Sequence, residues 1–290
     1  MHNRTERMLN KLTYANAKRW FLGQYMQKPL ISLPQLNVAR APQLDRSPFE
    51  GYQRGWGLEF GDLTQEIWRD PLYQRARKFA KGRSIMTIER QMNLFLLIRF
   101  FLKDLASKNI IEFGTYNGGN AFFMAALLRE LYPEAKVFAL DTFEGMPDVD
   151  QSLDNHRRGD FGDANLQRIQ RQAEAYGLTN LTLVKGLIQD TADTVYEVGA
   201  PFGLAHIDVD IYSAVKYSQD SVWAHMTPGG YVVYDDATVS SCIGATQAVE
   251  ELVIDRHVHS EQIFPHFVFR VPPVNNRVNH AAEEKSECRA

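Results

Sequence analysis

The chain has 290 residues, 44% of them apolar and 23% charged. That is the balance of a soluble globular protein with room for one large α/β domain plus an extra segment, or for two small domains. A net charge of −3 provides no electrostatic footprint for nucleic acid, no run of about 18 apolar residues argues for a membrane span, and two cysteines, Cys242 and Cys288, make neither a disulfide framework nor a cysteine metal cluster.

In chain order, MHNRTERMLNKL lacks the apolar run of a secretory signal, so a cytoplasmic setting is expected. Residues 1–50 are irregular, with helical periodicity at 5–28 and then a Pro-punctuated stretch. Such a segment builds no core alone and is expected to cover a site, to swap onto a neighbouring subunit or to stay mobile. Residues 62–106 read as helical, with a broad apolar face along RQMNLFLLIRFFLKDL. From 109 onward, short apolar runs alternate with helical segments: NIIEFG, the helix GNAFFMAALLREL, KVFALD, a helix ending at Gly177, LTLVKG, the helix DTADTVYEVG, FGLAHIDVD, a helix stopped by Pro228-Gly229-Gly230, YVVYDD, a helix at 244–256, and closing strands in EQIFPHFVFRV. Strand–helix alternation with short connections predicts parallel βαβ units in a doubly wound α/β sheet.

Ligands of such sheets bind at the carboxyl ends of the strands. The first strand ends in a glycine-rich turn, Gly114-Thr115-Tyr116-Asn117-Gly118-Gly119. Tyr116 stands where a dinucleotide fingerprint has its second glycine, which suits a nucleoside ligand without a diphosphate; a tight strand–helix corner is the plain alternative. The second strand ends at Asp141, placed to hold a ribose hydroxyl pair or to cap a turn. Asp208 and Asp210 follow the fourth strand, and Asp235 and Asp236 the fifth. Carboxylates gathered there repel unless a hard divalent cation such as Mg²⁺ joins them or protons bind; capping of the helices that follow, above all by Asp210, is the plain alternative. Period two along HIDVD puts His206, Asp208 and Asp210 on one strand face. His257 and His259 have ligand-like spacing but read as a solvated loop.

IIEFGTYNGG, FALDTFEGMP, HIDVDIY, PGGYVVYDD and CIGATQAVEEL together resemble the macrocin O-methyltransferase family. The resemblance runs from about residue 84 to about 255. It implies a class I, Rossmann-like methyltransferase sheet with a helical N-terminal extension, S-adenosylmethionine and Mg²⁺ as cofactors, and a hydroxylated small molecule as acceptor. Met86, Thr87, Glu112, Gly114, Thr115, Tyr116, Gly118, Asp141, Thr142, Phe143, Lys185, Gly186 and Asp208 would surround the cofactor. Asp208, Asp235 and Asp236 would hold the metal. Asp208 is expected to act as base, with Asp210 and His206 in reserve. The chain departs from the family pattern at Tyr116-Asn117, Val209 and Ala237. The expected organisation is an extension at 1–83, a methyltransferase domain at 84–274, a polar tail at 275–290, and a homo-oligomer of two or more chains with no nucleic acid or membrane partner. A nicotinamide oxidoreductase, a metal-dependent hydrolase or hydroxylase, and a non-catalytic scaffold are the rival readings.

Overall fold

The computed structural model describes residues 63–272. The expectations for 1–50 and for the tail lie outside the described residues.

Three helices lead the described residues: α1 (Leu63–Arg69), α2 (Pro71–Ala80) and α3 (Ile88–Leu96), the last running into a π-helical turn at Leu97–Phe101. α2 starts where it does because Asp70 accepts the backbone N–H groups of Leu72 and Tyr73 and Pro71 takes the first helical position. The helical stretch expected over 62–106 is therefore broken at Asp70 and again at 81–87, where Thr87 caps α3. Thereafter come β1 (Ile110–Phe113), α4 (Gly119–Leu131), β2 (Val137–Asp141), α5 (Leu166–Ala175), β3 (Leu181–Lys185), α6 (Ile188–Gly199), β4 (Phe202–Ile207), α7 (Tyr212–Val222), β5 (Met226–Tyr234), α8 (Ile243–Arg256), β6 (Ser260–Gln262) and β7 (Phe267–Arg270).

The seven strands order as β3-β2-β1-β4-β5-β7-β6. β1 to β5 are parallel, β7 pairs antiparallel with β5, and β6 antiparallel with β7. Every residue of β1 and β4 is buried, as expected of parallel strands covered on both faces. One face carries a core containing Tyr73, Phe95, Phe123 and Ile169, contributed by α2, α3, α4 and α5. Ala192, Val215 and Leu252 of α6, α7 and α8 pack on the other. Tyr73 meets Phe95 and Phe123 edge-on, with ring centroids 5.4 and 5.9 Å apart. Residues 67–80, on the N-terminal side of the boundary expected at 83, thus share the core of the sheet domain.

α5 ends as its sequence predicts. Gly177, at φ +63°, donates its N–H to Glu174 O and Leu178 donates to Ala173 O, the paired bonds of a Schellman motif.

Two expectations are corrected. Pro228-Gly229-Gly230 does not stop a helix: α7 and its short 3₁₀ turn end by His225, and the three residues lie inside β5. There they loop out of the β4–β5 ladder, which pairs Phe202 with Met226 but Leu204 with Tyr231. The fourth strand, for its part, does not extend through HIDVD. It ends at Ile207, and Asp210 is left-handed at φ +58°, so His206, Asp208 and Asp210 do not share a strand face.

Candidate active site

The strand order reverses between β1 and β4, which makes a crevice at their carboxyl ends. A cavity of about 340 Å³ opens there. Its first wall is the turn after β1. Gly114 sits at φ +82°, and a Cβ on it would stand 1.7 Å from the backbone oxygen of Asp208, so only glycine lets the ends of β1 and β4 approach this closely. Asp141, at the end of β2, braces the turn: its Oδ2 accepts the N–H groups of Thr115 (2.8 Å) and Tyr116 (2.7 Å), and its Oδ1 that of Phe143 (2.7 Å). Tyr116 and Phe143 both have positive φ, 49° and 52°, costly for side-chain-bearing residues. One carboxylate thus stabilises two strained loops.

The second wall is acidic. Asp208 follows β4 directly; Asp235 and Asp236 follow β5. One oxygen from each lies within 4.8 Å of the others. Burial, then neighbouring carboxylates, push Asp208 and Asp236 well above the usual carboxylate range. Asp235 behaves oppositely. Burial opposes its ionisation, but His206, His266 and Arg90 hold it below that range. His266 Nε2 is 2.8 Å from Asp235 Oδ1, and Arg90 Nη1 donates to Oδ2 at 2.5 Å while Nη2 reaches Thr238 Oγ1 at 3.1 Å. Asn93 orients His266 through a 3.0 Å contact to Nδ1. His206, fully buried, has Nδ1 3.1 Å from Glu112 Oε1 and Nε2 3.8 Å from Asp235 Oδ1. Burial lowers its pKa, but the two carboxylates more than offset this and raise it to about 10.

The donor set of Asp208, Asp235 and Asp236 fits a hard divalent cation: oxygen ligands only, converging, with two of the three driven toward protonation without one. The braced turn fits a nucleoside, and Met86, Thr87, Gly186 and Leu187 line the same cavity.

Of the residues singled out from sequence, Met86, Thr87, Gly114, Thr115, Tyr116, Asp141, Thr142, Gly186, Asp208, Asp210, Asp235 and Asp236 line this one cavity. Five do not line it. Glu112 and His206 are sealed in the sheet and Phe143 is buried; Gly118 caps α4 with Ile169 and Phe122 against it; and Lys185 pairs with Glu144 at 2.6 Å. His257 and His259 are exposed at the end of α8. Sequence reasoning missed Arg90, Asn120, His156 and Cys242 on the cavity wall and His266 behind it. These come from α3, α4, the β2–α5 loop, the start of α8 and β7's approach; Cys242 opens the CIGATQAVEEL segment, but nothing in that segment points its thiol to the site.

The family model described as macrocin-O-methyltransferase (TylF) matches residues 76–262. The 8-demethyl-8-(2,3-dimethoxy-alpha-L-rhamnosyl)-tetracenomycin-C 4'-O-methyltransferase of Streptomyces olivaceus is 27% identical over 172 residues, 55% of this chain and 64% of that relative, so the chain spans somewhat less than two thirds of its length. The mycinamicin III 3''-O-methyltransferase of Micromonospora griseorubida is 26% identical over 195 residues, 62% of this chain and 73% of that one. The solved structure of the O-methyltransferase NovP superposes with a TM-score of 0.54 at 18% identity, over 72% of this chain and 95% of that chain, which establishes a shared fold.

Proposed function

The chain belongs to the macrocin O-methyltransferase family, and from that premise we propose that it moves a methyl group from S-adenosylmethionine to a hydroxyl of a small natural-product acceptor, most simply a sugar, with Mg²⁺ in the site. The observation that carries this reading is a single cavity with a nucleoside cradle on one wall and three convergent carboxylates on the other. The oxidoreductase reading gives the carboxylates no task, and the hydrolase reading gives none to the cradle.

In this scheme Gly114, Thr115, Tyr116 and Thr142 hold the nucleoside, while Asp141 keeps their loops in place and has one lone pair left, on Oδ1, for a ribose hydroxyl. Asp208, Asp235 and Asp236 hold the cation. Mg²⁺, when bound, supplies Lewis acidity toward an acceptor oxygen, and S-adenosylmethionine supplies the electrophilic methyl. Two convergent hydroxyls suit the cation site best, so an acceptor with adjacent hydroxyls is expected.

The base is reassigned. Asp208 belongs to the cation set and His206 is sealed from the cavity. Asp210 lines the cavity outside that set, fixed by its own N–H donating to Asp236 Oδ2 at 2.8 Å. Burial lifts its pKa, toward the range in which a carboxylate takes a hydroxyl proton effectively. Arg90 and His266 keep Asp235 ionised and aimed. Positioning of acceptor and methyl within one cavity supplies several kcal/mol of the acceleration.

Calorimetric titration of S-adenosylmethionine, with and without Mg²⁺, tests the proposal. Saturable binding is expected, followed by methyl transfer to hydroxylated acceptors that needs the cation. No binding in either condition would overturn it.

A further inference from the structure

Beside the three cation-holding acids, a second group of side chains converges on the acceptor end of the cavity. His156 Nε2, Asp210 Oδ1 and Cys242 Sγ form a nearly equilateral triangle: 3.6 Å from sulfur to nitrogen, 3.6 Å from sulfur to oxygen and 3.7 Å from nitrogen to oxygen. Hydrogen bonding accounts for at most the two edges at sulfur, not for the third. The one thiol proton serves a single acceptor at a time, and the nitrogen–oxygen edge exceeds hydrogen-bond length. Three ligands at the corners of a tetrahedron about 2.2 Å from its centre stand about 3.6 Å apart, and about 2.0–2.3 Å is the bond length zinc makes with His, carboxylate and Cys donors.

A second, independent observation points the same way. His156 Nδ1 lies 3.3 Å from Asp160 Oδ2. A carboxylate behind a histidine, fixing the tautomer that presents Nε2 forward, is the usual support of a zinc-bound imidazole. The loop geometry keeps that support in place, because Arg157 donates its N–H to the same Asp160 oxygen at 2.9 Å. The triangle faces the cavity, so an ion has a way in and a fourth coordination position open to solvent or ligand. The donors also differ in kind from the all-oxygen set next to them: mixed nitrogen, sulfur and oxygen favour Zn²⁺ over Mg²⁺.

We propose that His156, Asp210 and Cys242 form a second, thiolate-containing cation site for Zn²⁺ or a similar soft divalent ion, distinct from the carboxylate site for Mg²⁺. Capture exchanges the thiol proton for the metal and releases that proton to solvent. With the ion in place, Asp210 is no longer free to take a proton from an acceptor hydroxyl, so Zn²⁺ inhibits methyl transfer. This consequence, though not the site itself, rests on the function proposed above.

Co²⁺ reports the site directly, because thiolate-to-cobalt charge transfer gives an absorption band that oxygen ligands do not. The full chain is titrated with Co²⁺ in excess Mg²⁺. The expected result is one thiolate-ligated cobalt per chain, displaced by Zn²⁺, with the band lost in Cys242→Ser and kept in both Cys288→Ser and Asp208→Asn. Asp160→Asn, at a partly exposed position, should weaken cobalt binding about 10- to 100-fold. Absence of the band in the wild-type chain, or its survival in Cys242→Ser, would overturn the proposal. The spectrum needs no turnover, so a failed methyltransferase assay leaves it decisive.

Discussion

Gly114→Ala separates backbone sterics from simple loss of a flexible residue. The added methyl would stand 1.7 Å from the backbone oxygen of Asp208, where ordinary contact begins at 3.4 Å. The ends of β1 and β4 must therefore part by more than 1 Å. The left-handed backbone at φ +82° adds about 1–2 kcal/mol for any L side chain, and forcing packed elements apart adds about 1–3 kcal/mol. The sum is about 2–5 kcal/mol, or about 5–15 °C in melting temperature for a domain of this size. Because Asp208 moves with the strand end, a shift of about 1 Å should also cost about 100-fold in turnover. Gly177→Ala is the control. That glycine is also left-handed, but its nearest neighbour is the Arg129 guanidinium at 3.8 Å, so the backbone cost of about 1–2 kcal/mol alone and unchanged turnover are expected. Scanning calorimetry and a methyl-transfer assay on both variants decide the matter. If Gly114→Ala melted and turned over like Gly177→Ala, the argument from close approach would be wrong.

Other outcomes follow from the same geometry. Asp208→Asn should abolish most activity while leaving S-adenosylmethionine binding within a few-fold; near-native turnover would remove Asp208 from the cation set. Asp210→Asn should lower kcat about 10²- to 10⁴-fold with little change in Mg²⁺ affinity, and a drop of less than tenfold would rule it out as base. Alkaline pH should destabilise the fold. Burial raises the Tyr73 and Tyr196 phenols from 10.0 to about 12, so above about pH 10 the unfolded chain gives up protons that the folded one retains. The stability of neutral burial, fully present below about pH 10, is lost by about pH 12, at up to about 1.4 kcal/mol per pH unit for each tyrosine. A melting temperature that stays flat across that window, or a slope unaltered in Tyr73→Phe, would contradict this.

The sheet was legible because its signals are local. Apolar runs such as NIIEF and KVFAL, on either side of the helical stretch GNAFFMAALLREL, give β1, α4 and β2 to within a residue or two. The two acid pairs could be placed at strand ends for the same reason. What the sequence did not disclose depends on distant partners. Arg90 lies 145 residues from Asp235 and His266 31 residues from it, so no spacing rule joins them. Pro228-Gly229-Gly230 carries helix-stop chemistry as well as bulge chemistry, and only pairing with β4 decides between the two. The extended reading of HIDVD failed because the ladder closes at Asp208, whose N–H still donates to Phe113 O at 2.9 Å; Asp210 turns left-handed, its N–H donating to Asp236 instead of to a neighbouring strand.

The bulge in β5 acts as a vernier on the catalytic end of the sheet. At its start the β4–β5 pairing offset is that of Phe202 with Met226; beyond the bulge it is that of Leu204 with Tyr231, three residues greater. Strands rise about 3.3 Å per residue, so without this phase change the two strand ends would be staggered by about 10 Å. With it, Ile207 and Tyr234 finish level, and the acids that follow them begin side by side. Adding or deleting a residue among 227–230 would leave a sheet that still pairs. Yet about 15 Å away it would slide Asp235 and Asp236 past Asp208 and take the cation site apart.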